Sequence, residues 1–250
     1  RISLGVQSFH EATLRYLGRR HDAAGALRAC ETIASRFDNW NLDLIFGAPP
    51  IEHWPDTLAR TVALRPPHVA TYGLTYETGT PFERRRDQAV DDETWLRLYQ
   101  QAEEALGDYD HYEISNLARP GFQSRHNLIY WHNEEYAGFG TGAYSFLGGV
   151  RARNHATIDA YLAAPGEKEE CLGLTEREIM LETIIQHLRL RDGLDKHYYT
   201  ARFGTAPEVD FALPLRLLAG RGLIEDTATV IRPTREGFTL NNEIGTALLD

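Results

Sequence analysis

Asn41-Leu-Asp-Leu-Ile-Phe46 is the stretch that decides the fold, since it is a short apolar run bounded by Gly47 and the Pro49-Pro50 pair. Ile2-Ser-Leu-Gly-Val6 and Val69-Ala-Thr-Tyr-Gly-Leu-Thr75 have a similar composition, rich in apolar and β-branched residues. Runs of this kind are typical of strands that are buried on both faces of a parallel sheet. We therefore predict that these segments are strands of one parallel sheet.

Helical patterns separate the predicted strands. Helices are expected from Asp22 to Phe37, from about Trp54 to Leu64 and from Asp91 to Leu106, and His111-Tyr-Glu-Ile-Ser115 resumes as a strand. The residues of the first of these helices that we expect to face the sheet are Leu27, Cys30, Ala34 and Phe37. Alternating strands and helices indicate βαβ units, and both an open doubly wound sheet and part of a barrel fit this pattern.

The second half of the chain follows a different pattern. Residues 116–165 are rich in glycine and aromatic residues without a clean period, and we predict loops and short strands laid against the sheet. Thr175 with Glu178, like Ser8 with Glu11, has the spacing of a capping box, which marks the start of a helix. A winged-helix module is predicted beyond about residue 170, with helices ending at Gly204 and spanning Asp210 to Gly220, and a hairpin of Leu223–Asp226 and Val230–Arg232.

The composition excludes several classes of protein. The chain has 36 acidic against 26 basic residues and a net charge of −10, which argues against general attraction to nucleic acid or anionic membranes. No apolar run approaches the roughly 18 residues of a transmembrane segment. The two cysteines, Cys30 and Cys171, exclude a disulfide scaffold, and we expect a cytoplasmic location.

Polar side chains at the ends of the predicted strands are candidates for a binding site. Gln7 follows the first strand, Thr75 closes the third, and Asp43 lies inside the second between two leucines. A carboxylate in an apolar strand needs a partner or a ligand. It can accept hydrogen bonds from ribose hydroxyls, and Arg19 can pair with a ligand carboxylate. The alternative is a buried Asp43–Arg19 pair without a ligand.

Arg125-His-Asn-Leu-Ile-Tyr-Trp131 combines an imidazole with two large rings. Such a group suits a flat, aromatic, metal-bearing ligand, because the imidazole can ligate iron while the rings pack on the macrocycle. The alternative is a core strand with a hydrogen-bonded histidine. Gly138-Phe-Gly-Thr-Gly-Ala-Tyr-Ser145 lacks the Lys-Ser/Thr of a phosphate-binding loop, so a tight turn with close backbone approach is the favoured interpretation.

The order and spacing of short motifs resemble the radical-SAM family of oxygen-independent coproporphyrinogen III oxidases (HemN-like). The motifs are Ile2-Ser-Leu-Gly-Val-Gln-Ser-Phe9, Leu17-Gly-Arg19, Asp43-Leu-Ile-Phe-Gly47, Glu77-Thr-Gly-Thr-Pro-Phe82, Tyr112-Glu-Ile-Ser-Asn116, Pro120-Gly, His126-Asn-Leu-Ile-Tyr-Trp131 and Gly138-Phe-Gly-Thr-Gly-Ala143. The complete His-Asn-x-x-Tyr-Trp motif is similar to that of the HemW heme-chaperone branch, in which it is tied to heme binding.

The resemblance implies an α/β fold in three parts. Residues 1–115 would be the C-terminal part of an incomplete TIM-like radical-SAM barrel, 116–170 a connecting region with the heme motif, and 171–250 a HemN-type C-terminal winged-helix-like domain. The residues implied to contact S-adenosylmethionine are Gln7, Arg19, Asp43, Thr75 and Tyr144, the last standing where relatives commonly carry histidine. The residues implied to bind heme are His126, Tyr130 and Trp131, with His126 on the iron.

The cysteine motif that ligates the family's [4Fe-4S] cluster, CxxxCxxC, is absent from this sequence. Cys30 and Cys171 are too far apart to replace it. Because the family places the motif before the first strand, we expect that the chain is truncated and that the cluster ligands lie upstream of it.

The sequence is compatible with three functions. The first is a heme chaperone that carries the cluster and S-adenosylmethionine when intact and passes heme to a recipient protein. The second is a coproporphyrinogen III dehydrogenase that decarboxylates a porphyrinogen by radical chemistry in porphyrin biosynthesis, which the intact heme motif disfavours. The third is a nucleic-acid-binding wing, ranked last because residues 195–250 carry six basic side chains against eight acidic ones.

Overall fold

The predicted strands belong to one five-stranded sheet with the order β1-β2-β3-β5-β4. Strands β1 (Ile2–Gln7), β2 (Trp40–Phe46) and β3 (His68–Gly73) are parallel neighbours. Strand β5 (Asn116–Ala118), which the sequence predicted without bounds among the short strands of residues 116–165, pairs antiparallel with both β3 and β4 (Asp110–Glu113). The prediction of an all-parallel sheet is therefore wrong at this edge, because the chain turns back directly after β4.

The computed structural model describes residues 1–249, which divide into two compact units. The first unit is Arg1–Gln123, and the second begins at Ser124. The three-part division by residues 1–115, 116–170 and 171–250 stays a prediction, and its last residue, Asp250, lies outside the described residues.

The helices of the first unit are α1 (Glu11–Tyr16), α2 (Ala23–Ala34), α3 (Trp54–Leu64) and α4 (Asp92–Ala105), with short 3-10 helices at Ile51–His53 and Glu83–Gln88. Alternate β2 residues Leu42, Leu44 and Phe46 are buried in one core with residues of α3 and α4. The opposite face of β2 carries Asn41 and Asp43, and we call it the polar face.

Two expectations about this unit are wrong. Helix α2 ends at Ala34, so Phe37 lies beyond it and is 45% exposed, and the buried positions of the helix are Ala26 and Cys30. Ser8 and Glu11 do not form a capping box, because α1 begins after His10 without a side-chain cap. The Ser8 hydroxyl instead accepts from the backbone N–H of His10.

The second unit begins with helix α5 (Arg125–Trp131). Strands β6 (Tyr144–Leu147), β7 (Val150–Asn154) and β8 (Lys168–Gly173) then pair antiparallel in a sheet of their own, and α6 (Ile158–Ala163) lies between β7 and β8 in the chain. The short strands expected in residues 116–165 exist: β5 joins the first sheet, and β6 and β7 pair with each other in the second sheet. The His-Asn-x-x-Tyr-Trp motif lies in helix α5, so its alternative interpretation as a core strand is wrong.

The remainder of the second unit has the predicted helices and wing. Its elements are α7 (Glu176–His187), β9 (Leu194–Asp195), α8 (Lys196–Phe203), α9 (Pro207–Asp210), α10 (Ala212–Gly220), β10 (Ile224–Asp226), β11 (Val230–Pro233), α11 (Arg235–Thr239) and α12 (Asn241–Leu249). The capping box of Thr175 and Glu178 is confirmed. The hairpin is confirmed too, and β9 adds a third strand beside β11. No helix within residues 1–249 is long and apolar enough to cross a membrane.

Candidate functional site

The first unit has a cavity of about 360 Å³ at the carboxyl ends of its parallel strands. Its lining residues are Gln7, Arg19, Asp43, Ile45, Tyr72, Gly73, Leu74 and Thr75. Four residues that the sequence singled out, Gln7, Arg19, Asp43 and Thr75, therefore meet around one space. Its size is within the range of small-molecule sites in proteins.

Gln7 occupies an unusual backbone position at the end of β1. Its φ of 67° is in the left-handed region, and the pairing of β1 with β2 is irregular between Leu4 and Gln7. Backbone strain of this kind is concentrated at active sites and ligand-binding sites. Gly5 makes room for it, because a Cβ at that position would lie 2.9 Å from Nε2 of Gln7.

Asp43 presents a carboxylate to this cavity without forming an ion pair. Its Oδ1 accepts a hydrogen bond of 2.7 Å from Nδ2 of Asn41, and within residues 1–249 no ion pair joins it to Arg19. Burial raises the pKa of Asp43, and the hydrogen bond from Asn41 opposes that shift. The alternative of a closed Asp43–Arg19 pair is therefore wrong. Both groups line the cavity and are available to a ligand.

Sequence reasoning missed the residues beside Asp43 on the polar face. Asn41 lies two residues earlier on the same strand and is the register partner of His68 on β3. Nδ1 of His68 lies 2.6 Å from Oδ1 of Asn41, and Nε2 lies 2.9 Å from the hydroxyl of Tyr112. The signal was present as polar residues at alternate positions of β2, since such residues share one face of a strand.

Helix α5 brings together two of the three residues assigned to heme. His126 and Tyr130 are one turn apart, and Nε2 of His126 lies 2.8 Å from the hydroxyl of Tyr130. Trp131 is five residues beyond His126, which places it about 140° further around the helix. There the guanidinium of Arg189 lies 4.5 Å from the centre of a Trp131 ring. Trp131 therefore faces away from His126, and its assignment to the same ligand remains a prediction.

Tyr144, the remaining residue assigned to S-adenosylmethionine, belongs to the second unit. It lies on β6 opposite Arg153 and is 49% exposed. Just before it, a Cβ on Gly138 would lie 2.1 Å from the carbonyl oxygen of Tyr144. The predicted tight turn with close backbone approach is thereby confirmed for Gly138. The cofactor role of Tyr144 stays a prediction.

The cysteines do not fit an iron–sulfur cluster. Cys30 is fully buried in the core, and burial raises the pKa of its thiol to about 11. Cys171 is exposed on β8. Within the described residues 1–249 no three metal-binding side chains come together. A [4Fe-4S] cluster requires closely spaced thiolates, and these residues do not supply them.

Comparison with known proteins shows which proteins share this fold. Residues 174–240 match the HemN C-terminal domain family. The fold is that of a solved coproporphyrinogen III oxidase (HemN) from Escherichia coli, a radical SAM enzyme, with a TM-score of 0.83 and 20% identity over 98% of this chain and 63% of that one. The chain thus has the radical-SAM TIM-like fold and C-terminal domain of HemN.

Sequence similarity is higher to a narrower group. The Heme chaperone HemW of Lactococcus lactis is 33% identical over 98% of this chain and 67% of its own length. The Heme chaperone HemW of Bacillus subtilis is 32% identical over all of this chain and 69% of its own length. The chain belongs to the HemW family of radical-SAM proteins and spans about two thirds of these relatives.

Proposed function

We propose that this chain is the part of a cytoplasmic heme chaperone that binds S-adenosylmethionine in its first unit and heme at helix α5, and that the intact chaperone transfers heme to a recipient protein. The observation that carries the heme assignment is the exposed imidazole of His126, which lies one helical turn from Tyr130 in the complete motif. The names of the curated relatives agree with this function.

The cavity of the first unit fits S-adenosylmethionine by its chemistry. Arg19 can form a charge-assisted pair with the methionyl carboxylate, and Asp43 can accept from hydroxyl or ammonium donors. Gln7 adds an amide at the strained end of β1. The bound cofactor would supply a transferable sulfonium-linked group, and the role of these residues is to bind and orient it. The ligands of a [4Fe-4S] cluster would come from outside these 250 residues.

Heme is the cargo in this proposal and is bound by histidine ligation. His126 is exposed, so a planar ligand can approach the imidazole, and Tyr130 offers an aromatic face beside it. Nε2 is already hydrogen-bonded to Tyr130, so ligation by Nε2 requires that bond to break. We therefore infer that iron replaces the Tyr130 hydroxyl at Nε2.

A hemin titration followed by absorbance of the Soret band tests the heme assignment. His126→Ala should weaken hemin binding by more than about tenfold, since even the loss of a partner that only supports a ligand costs that much. The matched control is His197→Ala, which removes another exposed histidine on a helix of the same unit. Equal binding by the two variants would remove His126 from the proposed site.

The coproporphyrinogen III dehydrogenase alternative has no separate support in the structure. The likeness to the HemN enzyme is at 20% identity and shows a shared fold. The relatives above 30% identity are named as heme chaperones. Turnover of coproporphyrinogen III by the full-length protein would decide for the alternative.

A further inference from the structure

A chain of hydrogen bonds leads across the polar face of the first sheet to Asp43. It begins at the hydroxyl of Tyr112 on β4, passes through the imidazole of His68 on β3 and the amide of Asn41 on β2, and ends at Oδ1 of Asp43. The three bonds measure 2.9, 2.6 and 2.7 Å. Tyr112, His68 and Asn41 are 7%, 2% and 5% exposed, so water does not compete with these bonds.

The chemistry of Asp43 fixes the direction of each of these three hydrogen bonds. An ionised carboxylate only accepts hydrogen bonds, so Asn41 must turn its NH2 group toward Asp43. The carbonyl oxygen of Asn41 then faces His68 and must accept from the Nδ1–H of that ring. Nε2 of His68 consequently carries the lone pair, and the hydroxyl of Tyr112 donates to it.

The imidazole of His68 is neutral, as the chain of hydrogen bonds requires. Burial, together with the positive charge of Arg1, lowers the pKa of His68 to about 3. A neutral imidazole has one donor and one acceptor nitrogen, and the hydrogen bond made at one of them decides which tautomer is present. The hydroxyl of Tyr112 can donate a hydrogen bond to Nε2, and the carbonyl oxygen of Asn41 can accept one from Nδ1–H.

We propose that Tyr112 and His68 are positioning residues for the ligand-binding carboxylate of Asp43. By fixing the His68 tautomer they fix the Asn41 amide, and by fixing the amide they hold Asp43 in one orientation with its second oxygen left for a ligand in the cavity. Within residues 1–249 that second oxygen, Oδ2, has no hydrogen-bond partner. The proposal rests on the proposed role of the cavity in binding S-adenosylmethionine.

The alternative arrangement shows why the hydroxyl matters. Without a donor at Nε2, the His68 proton is free to move there, and Nδ1 becomes an acceptor. Asn41 would then turn its NH2 group toward His68 and its carbonyl oxygen toward the carboxylate of Asp43. Two oxygens in contact repel, so the carboxylate would lose its fixed position.

Calorimetric titration of the full 250-residue chain with S-adenosylmethionine tests the proposal. Tyr112→Phe removes only the hydroxyl and should weaken binding about three- to tenfold, the effect of losing about one hydrogen bond. The matched control is Tyr99→Phe, which removes another buried tyrosine hydroxyl near a histidine, here His111, in the same unit. The control should bind within about twofold of the wild type.

Nitrogen-15 spectra of the imidazole rings give a readout that a general loss of packing would not produce. The signal of His68, assigned by its disappearance in His68→Gln, should show the neutral Nδ1–H tautomer in the wild type. In Tyr112→Phe it should shift toward the Nε2–H tautomer. An Nε2–H tautomer in the wild type, or equal affinities of Tyr112→Phe and Tyr99→Phe, would overturn the proposal.

An Asp43→Asn variant separates this proposal from the proposed function. If Asp43→Asn binds S-adenosylmethionine as the wild type does, the assigned cofactor role of Asp43 fails, and the positioning role fails with it. If Asp43→Asn binds weakly while Tyr112→Phe binds normally, the cofactor site stands and the positioning chain alone is refuted.

Discussion

Removal of the Tyr130 hydroxyl is expected to strengthen heme binding. In the structure this hydroxyl occupies Nε2 of His126 at 2.8 Å, and the same nitrogen must be free to ligate iron. A hydrogen bond between exposed side chains contributes about 0.5–1 kcal/mol net. Since 1.4 kcal/mol corresponds to about a factor of ten, Tyr130→Phe should bind hemin about two- to fivefold more tightly than the wild type.

Phenylalanine is the right replacement because it keeps the aromatic ring. The Tyr130 ring contacts His126 edge-on, with centroids 4.9 Å apart, and it also contacts Tyr136 at 4.6 Å. Hemin affinity is measured by absorbance titration of Tyr130→Phe beside the control Tyr136→Phe. The control removes a hydroxyl from the same aromatic cluster without freeing Nε2, so its affinity should remain that of the wild type.

A double-mutant cycle decides whether the gain arises at His126. In a His126→Ala background, Tyr130→Phe should produce no gain, because no imidazole remains to be freed. A weaker affinity of Tyr130→Phe would show that the hydroxyl contacts the bound ligand, and an equal gain in both backgrounds would show an effect elsewhere. Either result would refute the competition between tyrosine and iron.

Two further predictions concern stability and thiol reactivity. Gly237→Ala should lower the free energy of unfolding by more than about 1 kcal/mol, because its Cβ would lie 1.7 Å from the carbonyl oxygen of Leu223. Thermal unfolding measures this effect, and an unchanged midpoint would contradict the prediction. Cys171 should react with a maleimide in the native chain while Cys30 does not until the chain unfolds, since Cys30 is fully buried and burial raises its thiol pKa to about 11. Mass spectrometry of the labelled protein identifies the modified residue, and rapid labelling of native Cys30 would show that the core around it opens.

The strands that line the cavity of the first unit could be predicted because each is a separate apolar run. The position and pairing of strand β5 could not be predicted, because Asn116–Ala118 has three residues and is stabilised by pairing between two longer strands. Tertiary pairing decides such a segment, and local composition does not.

The His-Asn-x-x-Tyr-Trp motif of residues 126–131 was difficult to predict for a different reason. Its isoleucine and aromatic residues fit a strand as well as a helix, and the deciding signal precedes them. The hydroxyl of Ser124 accepts from the backbone N–H of Asn127 and caps helix α5. In the helix that this cap starts, His126 and Tyr130 share one side and Trp131 lies on another.

The two proposed sites use hydrogen bonds in opposite ways, and this difference has consequences for affinity. At His126 the hydrogen bond between Nε2 and the Tyr130 hydroxyl occupies the atom that the ligand needs, so binding must first lose that bond. At Asp43 the bond from Asn41 occupies one oxygen and leaves the other for the ligand, so binding loses no hydrogen bond there. A ligand atom that is already hydrogen-bonded weakens binding and favours release, which suits the proposed transfer of heme to a recipient. A preorganised carboxylate favours retention, which suits a bound cofactor. Tyr130→Phe should therefore strengthen binding at its site, whereas Tyr112→Phe should weaken binding at the other, although each substitution removes one tyrosine hydroxyl bonded to a histidine.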